Sequence, residues 1–210
     1  MGRDPRVIDA TFPHHVNSKG NNGGSIVFDR TDIENYVEEF DRVARLHQWE
    51  VWSWCLMTTH HHLVVRAPEG AVSAGMQILN GRHSRRTNRR HGWSGHLFEN
   101  RFFSKVVDSD AYAVRANVYV VRNPVDAGIC ETPADWPACS YRATVGLEPA
   151  PPWLAVDELL ALFGRDRDHA VREYIECVHS GHGLVSDTLE ATARDEPASL
   201  LPGRAATAAA

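Results

Sequence analysis

The sequence predicts an α+β fold: a ferredoxin-like antiparallel sheet with helices on one face, a tyrosine-bearing helix after it and a small helical C-terminal extension. Three observations predict this fold. Short apolar runs alternate with longer segments whose apolar residues recur at helical spacing. The segments follow the order strand–helix–strand–strand–helix–strand–helix, which is typical of a split βαβ sheet with one more helix. After residue 128 a proline-rich linker precedes two short helical segments, which indicates an extension.

The first elements are an arm, a strand and a helix. Residues 1–10 resemble a flexible arm, and Thr11–Asn17 is a predicted strand whose start is weakened by Pro13. A turn rich in glycine and asparagine follows. Either Asp29 or Thr31 can then cap a helix, because both side chains accept a hydrogen bond from a backbone N–H in the first turn.

The middle of the chain alternates strands and helices. We expect the first helix to end near Gln48 and two strands to follow at about 50–57 and 60–66. A second helix is predicted over about 71–91, with arginines crowding its last turns. Residues 96–107 then show alternating aromatics, which predicts an extended segment.

The last part of the domain holds a third helix and a segment that docks on the core. The helix is predicted to begin at Ser109 or Asp110 and to end near Arg122, because proline at position 124 cannot continue the hydrogen-bond ladder. Trp136–Tyr141 is expected to pack on the core. The sequence therefore divides into an arm, a domain, an extension and a polar tail expected to be disordered, at residues 1–10, 11–146, 147–180 and 181–210.

Composition excludes some classes of protein. The chain is 43% hydrophobic, which is enough for a core, but it has no run of 18 apolar residues, so no membrane association is expected. No secretory signal is visible at the N-terminus. Four scattered cysteines without CxxC spacing favour reduced thiols in a cytoplasmic protein.

A basic block stands out on a chain whose net charge is -5. The block has seven basic residues and a single acid, Glu99, so it predicts a phosphate-binding surface rather than an ordinary solvated helix face. Its members, which are the candidate DNA contacts, are Arg82, Arg85, Arg86, Arg89, Arg90, Arg101 and Lys105.

Three consecutive histidines lie at the start of the third predicted strand. Side chains alternate between the faces of a strand, so His60 and His62 point the same way and His61 points to the opposite face. Two imidazoles on one face can bind a single divalent metal ion. A tolerated histidine cluster on a half-buried strand is the alternative.

The third helix supplies the remaining candidates. Tyr119 and Asn123 are four residues apart and share a helix face, where the amide oxygen can serve as a third metal ligand. A metal ion beside a phenol stabilises the phenolate as a nucleophile. Tyr112 lies seven residues earlier on the same face and is the rival candidate.

Four segments together resemble one protein family. Leu56–Val65 resembles the histidine–hydrophobic–histidine (HUH) strand of single-tyrosine transposases, and Tyr119–Gly128 resembles the tyrosine helix of their REP-associated branch. Gly95–Phe102 and Trp136–Tyr141 are similar to two further segments of that branch. The similarity runs from about residue 11 to residue 146, with the segments in the family's order and spacing.

The resemblance implies a metal-dependent DNA strand transferase. His60, His62 and Asn123 match the family's ligands for Mg²⁺ or Mn²⁺, and Tyr119 matches the nucleophile that forms a 5′-phosphotyrosine link to single-stranded DNA. It also implies hairpin-forming single-stranded DNA as partner, a homodimer in some members, and a bacterial cytoplasmic, nucleoid-associated protein. Three aromatic residues are candidates for base stacking: Trp93, Phe98 and Phe102.

The sequence departs from the family pattern at three places. Thr58 and Thr59 replace Pro-Asn before the first histidine, His61 replaces an apolar residue, and Asp126 replaces an arginine. Two alternatives therefore stay open beside the transposase. One is a domesticated binder of structured single-stranded DNA that does not cleave, and the other is a hydrolase with zinc on all three histidines.

Overall fold

The sheet has four antiparallel strands in the order β2-β3-β1-β4, as shown by a computed structural model that describes residues 10–181. The strands are β1 (His14–Lys19), β2 (Glu50–Leu56), β3 (His60–Arg66) and β4 (Phe103–Val106). The helices are α1 (Arg30–Leu46), α2 (Ala71–His91), α3 (Asp110–Asp126), α4 (Tyr141–Thr144), α5 (Val156–Leu160) and α6 (Arg167–Ser180). Short 3₁₀ turns lie at Asn21–Gly23 and Pro133–Asp135.

The predicted fold class is confirmed. The strand order is that of a ferredoxin-like sheet, in which the first and third strands lie at the centre. Helices α1 and α2 pack together on one face, where His61 contacts Tyr36 of α1. Helix α3 lies on the other face, where His60 contacts Asn123. Strand β3 therefore presents alternate side chains to two different helical layers.

Several predicted boundaries differ from the structure for local reasons. Strand β1 begins only after the proline at position 13, which lacks the N–H that a ladder needs. Asp29, not Thr31, caps α1, because its carboxylate accepts from the N–H of Asp32. Within 96–107 only β4 forms a strand. The residues before β4 make isolated backbone bonds to the end of β1 and the turn after it: Glu99 N–H donates to Lys19 O at 3.0 Å, and Asn21 N–H donates to Leu97 O at 2.8 Å.

The predicted stop of the third helix at Pro124 is wrong. The helix continues to Asp126, and Pro124 is buried inside it. A proline removes only one intrahelical bond, and here the loss falls in the last turn. The following turn is still closed by the N–H of Ala127 bonding to Asn123 O at 2.9 Å. Asn123 thus lies within regular helix, which fixes the direction of its side chain.

The outer edge of β2 is covered by two later segments. The backbone of Leu56 donates to Ala138 O, and Trp136 is buried with its indole N–H donating to Leu56 O at 2.8 Å. Farther along β2, Val51 exchanges backbone bonds with the segment around Leu154. Covering an edge in this way prevents its unpaired backbone groups from pairing with another chain.

The extension packs against α3. The Arg122 guanidinium donates to the carbonyls of Val178 and His179 at the C-terminal end of α6, at 2.6 and 3.2 Å. It also pairs with Asp126 at 2.7 Å.

The division of the chain at residues 146 and 180 stays a prediction, and the predicted arm and tail lie outside the described residues, apart from their innermost positions. No helix within 10–181 has the length and apolarity needed to cross a membrane.

Candidate active site

Strand β3 projects two imidazoles toward α3. His60 and His62 are buried and their rings meet edge to face, with centroids 5.0 Å apart. His61 points to the opposite layer, where its Nδ1 and the Tyr36 hydroxyl are 2.5 Å apart. The strand geometry therefore pairs His60 with His62, as the alternation predicts. It does not fit the alternative of a zinc ion held by all three histidines.

Helix α3 brings an amide and a phenol to the same place. The Oδ1 of Asn123 lies 3.2 Å from the Nε2 of His60. The Nδ2 of Asn123 donates to the backbone carbonyl of Tyr119 at 2.9 Å, and this bond fixes which end of the amide faces His60. The Tyr119 ring stands edge-on to His62, with centroids 5.2 Å apart. Four candidates that are up to 63 residues apart in sequence thus converge.

A third imidazole, from β1, completes the cluster. The Nε2 of His15 lies 3.0 Å from the Nδ1 of His62, and the two rings stack with centroids 5.1 Å apart. His15 also meets the edge of Tyr119. The sequence places His15 in the first predicted strand but does not mark it as a site residue. The predicted ferredoxin-like order, which puts the first strand beside the third, is the signal that could have found it.

Burial keeps these imidazoles neutral. It lowers the pKa of His15 from 6.5 to about 4, with a smaller effect from the charge of Lys105. Burial likewise lowers the pKa of His60 to about 4 and that of His62 well below its ordinary value. A neutral imidazole has one N–H and one lone pair, so each ring can offer a nitrogen to a metal ion.

The residues fit a divalent metal ion. The Nε2 of His62 is buried and has no hydrogen-bond partner among the described residues, as expected for an atom that serves as a ligand. Adjacent ligands of an octahedral ion with bonds of about 2.1 Å lie about 3 Å apart. The separation of 3.2 Å between His60 and Asn123 is close to this value. Imidazole nitrogens are common ligands of divalent transition ions, and an amide oxygen also suits Mg²⁺ or Mn²⁺.

The rival tyrosine lies in different surroundings. Tyr112 is buried beneath two cations, with the Nζ of Lys105 4.8 Å and the Cζ of Arg115 5.8 Å from its ring centroid. Its hydroxyl has no hydrogen-bond partner among residues 10–181. The ring of Tyr119 instead contacts His15 and His62. The geometry therefore favours Tyr119 as the phenol beside the imidazoles.

A second group of potential ligands lies elsewhere. Asp29, Asp32 and His91 bring their side-chain atoms within 4.8 Å of one another at the start of α1. The guanidinium of Arg90 lies 2.6 Å from Asp29 and 2.7 Å from Asp32, and His91 is 2.8 Å from Asp32. These contacts already give both carboxylates a charged or hydrogen-bonding partner, so the group is an ion-pair network at the N-terminus of α1.

The basic block divides into paired and unpaired residues. Helix α1 and its N-cap supply the acids that the block lacks in sequence: Glu39 is 3.6 Å from Arg82, Glu38 is 2.8 Å from Arg86, and the N-cap Asp29 pairs with Arg90. No ion pair is found for Arg85, Arg89, Arg101 or Lys105 within the described range of the chain. The DNA-binding role of all seven residues stays a prediction.

The aromatic candidates also differ in exposure. Phe98 and Phe102 are buried in the core, so their faces are not available to a base. Trp93 is 48% exposed but stacks on His91, with centroids 4.7 Å apart. Phe103 on β4 is 54% exposed and was not a sequence candidate. Its position in the alternating aromatic segment is the signal that could have found it.

Comparison with known proteins gives one family. The family model described as "Transposase IS200 like" matches residues 25–123, which include His60, His62, Tyr119 and Asn123. A protein of Haemophilus influenzae named as a REP-associated tyrosine transposase is 24% identical over 140 residues, covering 59% of this chain and 80% of that protein. A solved structure of a REP-associated tyrosine transposase bound to a REP hairpin has a TM-score of 0.57 at 19% identity, covering 71% of this chain and 89% of the other. Residues 25–123 of this chain therefore match the IS200-like transposase family model, and the chain is similar to proteins of the REP-associated branch.

Proposed function

We propose that this protein cleaves and rejoins single-stranded DNA through a covalent 5′-phosphotyrosine link, with a divalent metal ion as cofactor. The observation that supports the proposal is the convergence of His60, His62 and Asn123 beside the ring of Tyr119. The match of residues 25–123 to the IS200-like transposase family model supports the same class of reaction. Mn²⁺ or Mg²⁺, bound by these three side chains, would act as a Lewis acid on the phosphoryl group and the phenol.

Each residue has a separate task in the transfer step. Tyr119 provides the attacking oxygen, which bonds to phosphorus as the bond from phosphorus to the 3′ oxygen breaks. The phenol proton passes to solvent, and the leaving 3′ oxygen gains a proton from water. Reversal by another 3′-OH rejoins the strands and releases the tyrosine. The bond of Asn123 to the Tyr119 carbonyl holds ligand and nucleophile in one helical turn.

Two lysines add positive charge to the site. Burial is the main cause of the lowered pKa of His60, His62 and His15, and the charge of Lys19 adds to it at the first two and that of Lys105 at the third. A phosphodiester that approaches Tyr119 meets the same field. We infer that these lysines attract the DNA backbone, which is consistent with electrostatic steering by a local patch on an acidic chain.

The substrate and assembly follow from the relatives as proposals. The solved relative is bound to a REP hairpin, so we propose hairpin-bearing single-stranded DNA as the substrate class here. We also propose action on DNA in the bacterial cytoplasm at the nucleoid, with a homodimer as one possible assembly. A hairpin with a single-stranded flank tests the substrate, and light scattering tests the assembly.

The decisive experiment is to trap the covalent link. The wild-type protein is incubated with Mn²⁺ and a labelled hairpin strand, and the products are separated on a denaturing gel. We expect a protein–DNA adduct that is lost in Tyr119→Phe and kept in the matched control Tyr112→Phe. An adduct that persists without Tyr119 overturns the assignment. Hairpin binding in a chelator, without any adduct under any metal, would instead identify a binder that does not cleave.

A further inference from the structure

A cleft with both apolar and polar lining lies away from the imidazole cluster, on the α2 side of the sheet. It has a volume of about 520 Å³ and is formed by the second half of α2 and the loop of residues 95–101. We call it the α2 cleft. Its size is within the range of small-ligand sites. The largely buried side chains of Leu97 and Phe98 form part of its apolar floor without exposing a ring face, while Asn80, Arg85 and Arg101 provide polar groups.

The arginines of α2 form two stripes with different electrostatic character. Arg82, Arg86 and Arg90 recur every four residues and are neutralised by acids of α1. Arg85 lies on another stripe and lines the α2 cleft together with Arg101. Both are exposed and neither forms an ion pair with a residue in the range 10–181. The cleft therefore has two cations available for phosphate, against the single acid Glu99 in its lining.

An amide oxygen without a hydrogen-bond partner indicates that the ligand also carries an N–H donor. The Nδ2 of Asn80 donates to the hydroxyl of Ser18 at 2.8 Å, and its Oδ1 is buried with no partner among the described residues. A buried acceptor without a donor is costly, so a ligand that supplies an N–H would relieve it. Phosphate has no such donor, whereas the amino groups of nucleobases do. The combination of two cations, an acceptor and apolar surface fits a nucleotide.

The wall of the α2 cleft is joined to the strand beside the candidate active site. The N–H of Glu99 donates to the carbonyl of Lys19 at 3.0 Å. Lys19 is paired in register with His60 across β1 and β3. A nucleotide in the cleft is thus separated from the imidazole cluster only by the end of the sheet, and the same strand of DNA can pass from one to the other.

We propose that the α2 cleft binds one unpaired nucleotide of the DNA strand that is cleaved, with Arg85 and Arg101 on its phosphates and Asn80 on a base amino group. The proposal rests on the proposed function and deepens it, because it assigns part of the substrate specificity to a cleft outside the candidate active site. Adenine, cytosine and guanine carry such an amino group, whereas thymine offers only its ring N3–H as a donor.

The first test separates the cleft from the general charge of α2. A fluorescent hairpin with a single-stranded flank is titrated by anisotropy in a chelator, so that no cleavage occurs. We expect Arg85→Ala with Arg101→Ala to raise Kd at least tenfold and to reduce the dependence of log Kd on log salt by about two. The matched control, Arg82→Ala with Arg86→Ala, removes the same charge from paired positions and should change Kd less than threefold. Equal effects of the two pairs overturn the proposal.

The second test addresses the base. Abasic substitutions are placed one at a time along the flank, and one position should weaken binding by the wild type at least fivefold. At that position Asn80→Ala should bind intact and abasic DNA equally. An abasic effect that persists in Asn80→Ala overturns the assignment of the amide, and thermal melting confirms that each variant is folded.

The two proposals can fail separately. If an adduct dependent on Tyr119 forms but the cleft variants bind normally, the cleft assignment falls and strand transfer stands. If binding depends on the cleft but no adduct forms with any metal, strand transfer falls and the cleft stands as part of a binder of single-stranded DNA.

Discussion

Replacing His15 tests whether a residue outside the expected ligand set controls the metal site. If the buried Nε2 of His62 binds the metal ion, its Nδ1 must carry the proton and donate to His15 at 3.0 Å. His15 then acts through His62 as a positioning residue. The substitution His15→Ala leaves that N–H buried without an acceptor, which costs about 1–3 kcal/mol in stability.

The effect on metal binding follows from the same contact. Loss of the partner that orients a metal-bound histidine typically weakens the metal complex by about 10–100-fold. This range corresponds to about 1.4–2.7 kcal/mol. We expect His15→Ala to raise the Kd for Mn²⁺ by this factor, measured by calorimetry or by the EPR signal of free Mn²⁺. His15→Gln, whose side-chain oxygen can accept from His62, should recover much of the affinity.

The neighbouring histidine provides the control. His14 is as buried as His15 but points to the opposite face, where its Nδ1 is 3.0 Å from the Ser104 hydroxyl. His14→Ala should therefore lower stability by a similar amount while the affinity for Mn²⁺ stays within twofold of wild type. Unchanged Mn²⁺ affinity in His15→Ala, or an equal loss in His14→Ala, would refute the reasoning.

Three further predictions follow from the site and the strand that carries it. Asn123→Ala should weaken Mn²⁺ binding about tenfold because a ligand is lost, while Asn123→Asp should bind at least as tightly because a carboxylate replaces the amide; calorimetry checks both. Tyr36→Phe removes the partner of a buried imidazole, so the free energy of unfolding should fall by about 1–3 kcal/mol in urea without a change in Mn²⁺ affinity. The metal-free protein should lose stability as the pH falls from 6.5 toward 4. Burial lowers the folded-state pKa of His15 and His60 to about 4, so in this window the unfolded chain binds more protons, and each such histidine costs up to about 1.4 kcal/mol per pH unit. Denaturation curves across this range check the sign, and stability that rises on acidification would contradict it.

Local patterns predicted the elements and the central part of the site. The alternation of a strand and the four-residue spacing of a helix are both periodic, so they place His60 with His62 and Tyr119 with Asn123 without knowledge of tertiary structure. The ends of β3 and α2 were also close to expectation, because turn residues flank them. Family resemblance then supplied the link between strand and helix.

The parts of the fold and site that local patterns did not predict depend on which strands and helices become neighbours. His15 joins the site only because β1 lies next to β3, and the acids that neutralise three arginines of α2 come from α1. Neither relation is encoded by local periodicity. The continuation of α3 through Pro124 depends on packing, since burial of that turn outweighs one missing hydrogen bond.

The contact between Tyr36 and His61 has a consequence for folding fidelity. A run of three identical side chains makes the beginning of β3 nearly self-similar, so sliding by one position would still put an imidazole opposite α3. Such a slip moves every side chain of the strand to the opposite face and would present a single histidine to the phenol instead of two. In the observed register the Tyr36 hydroxyl on α1 bonds the middle ring, and this buried bond stabilises that register.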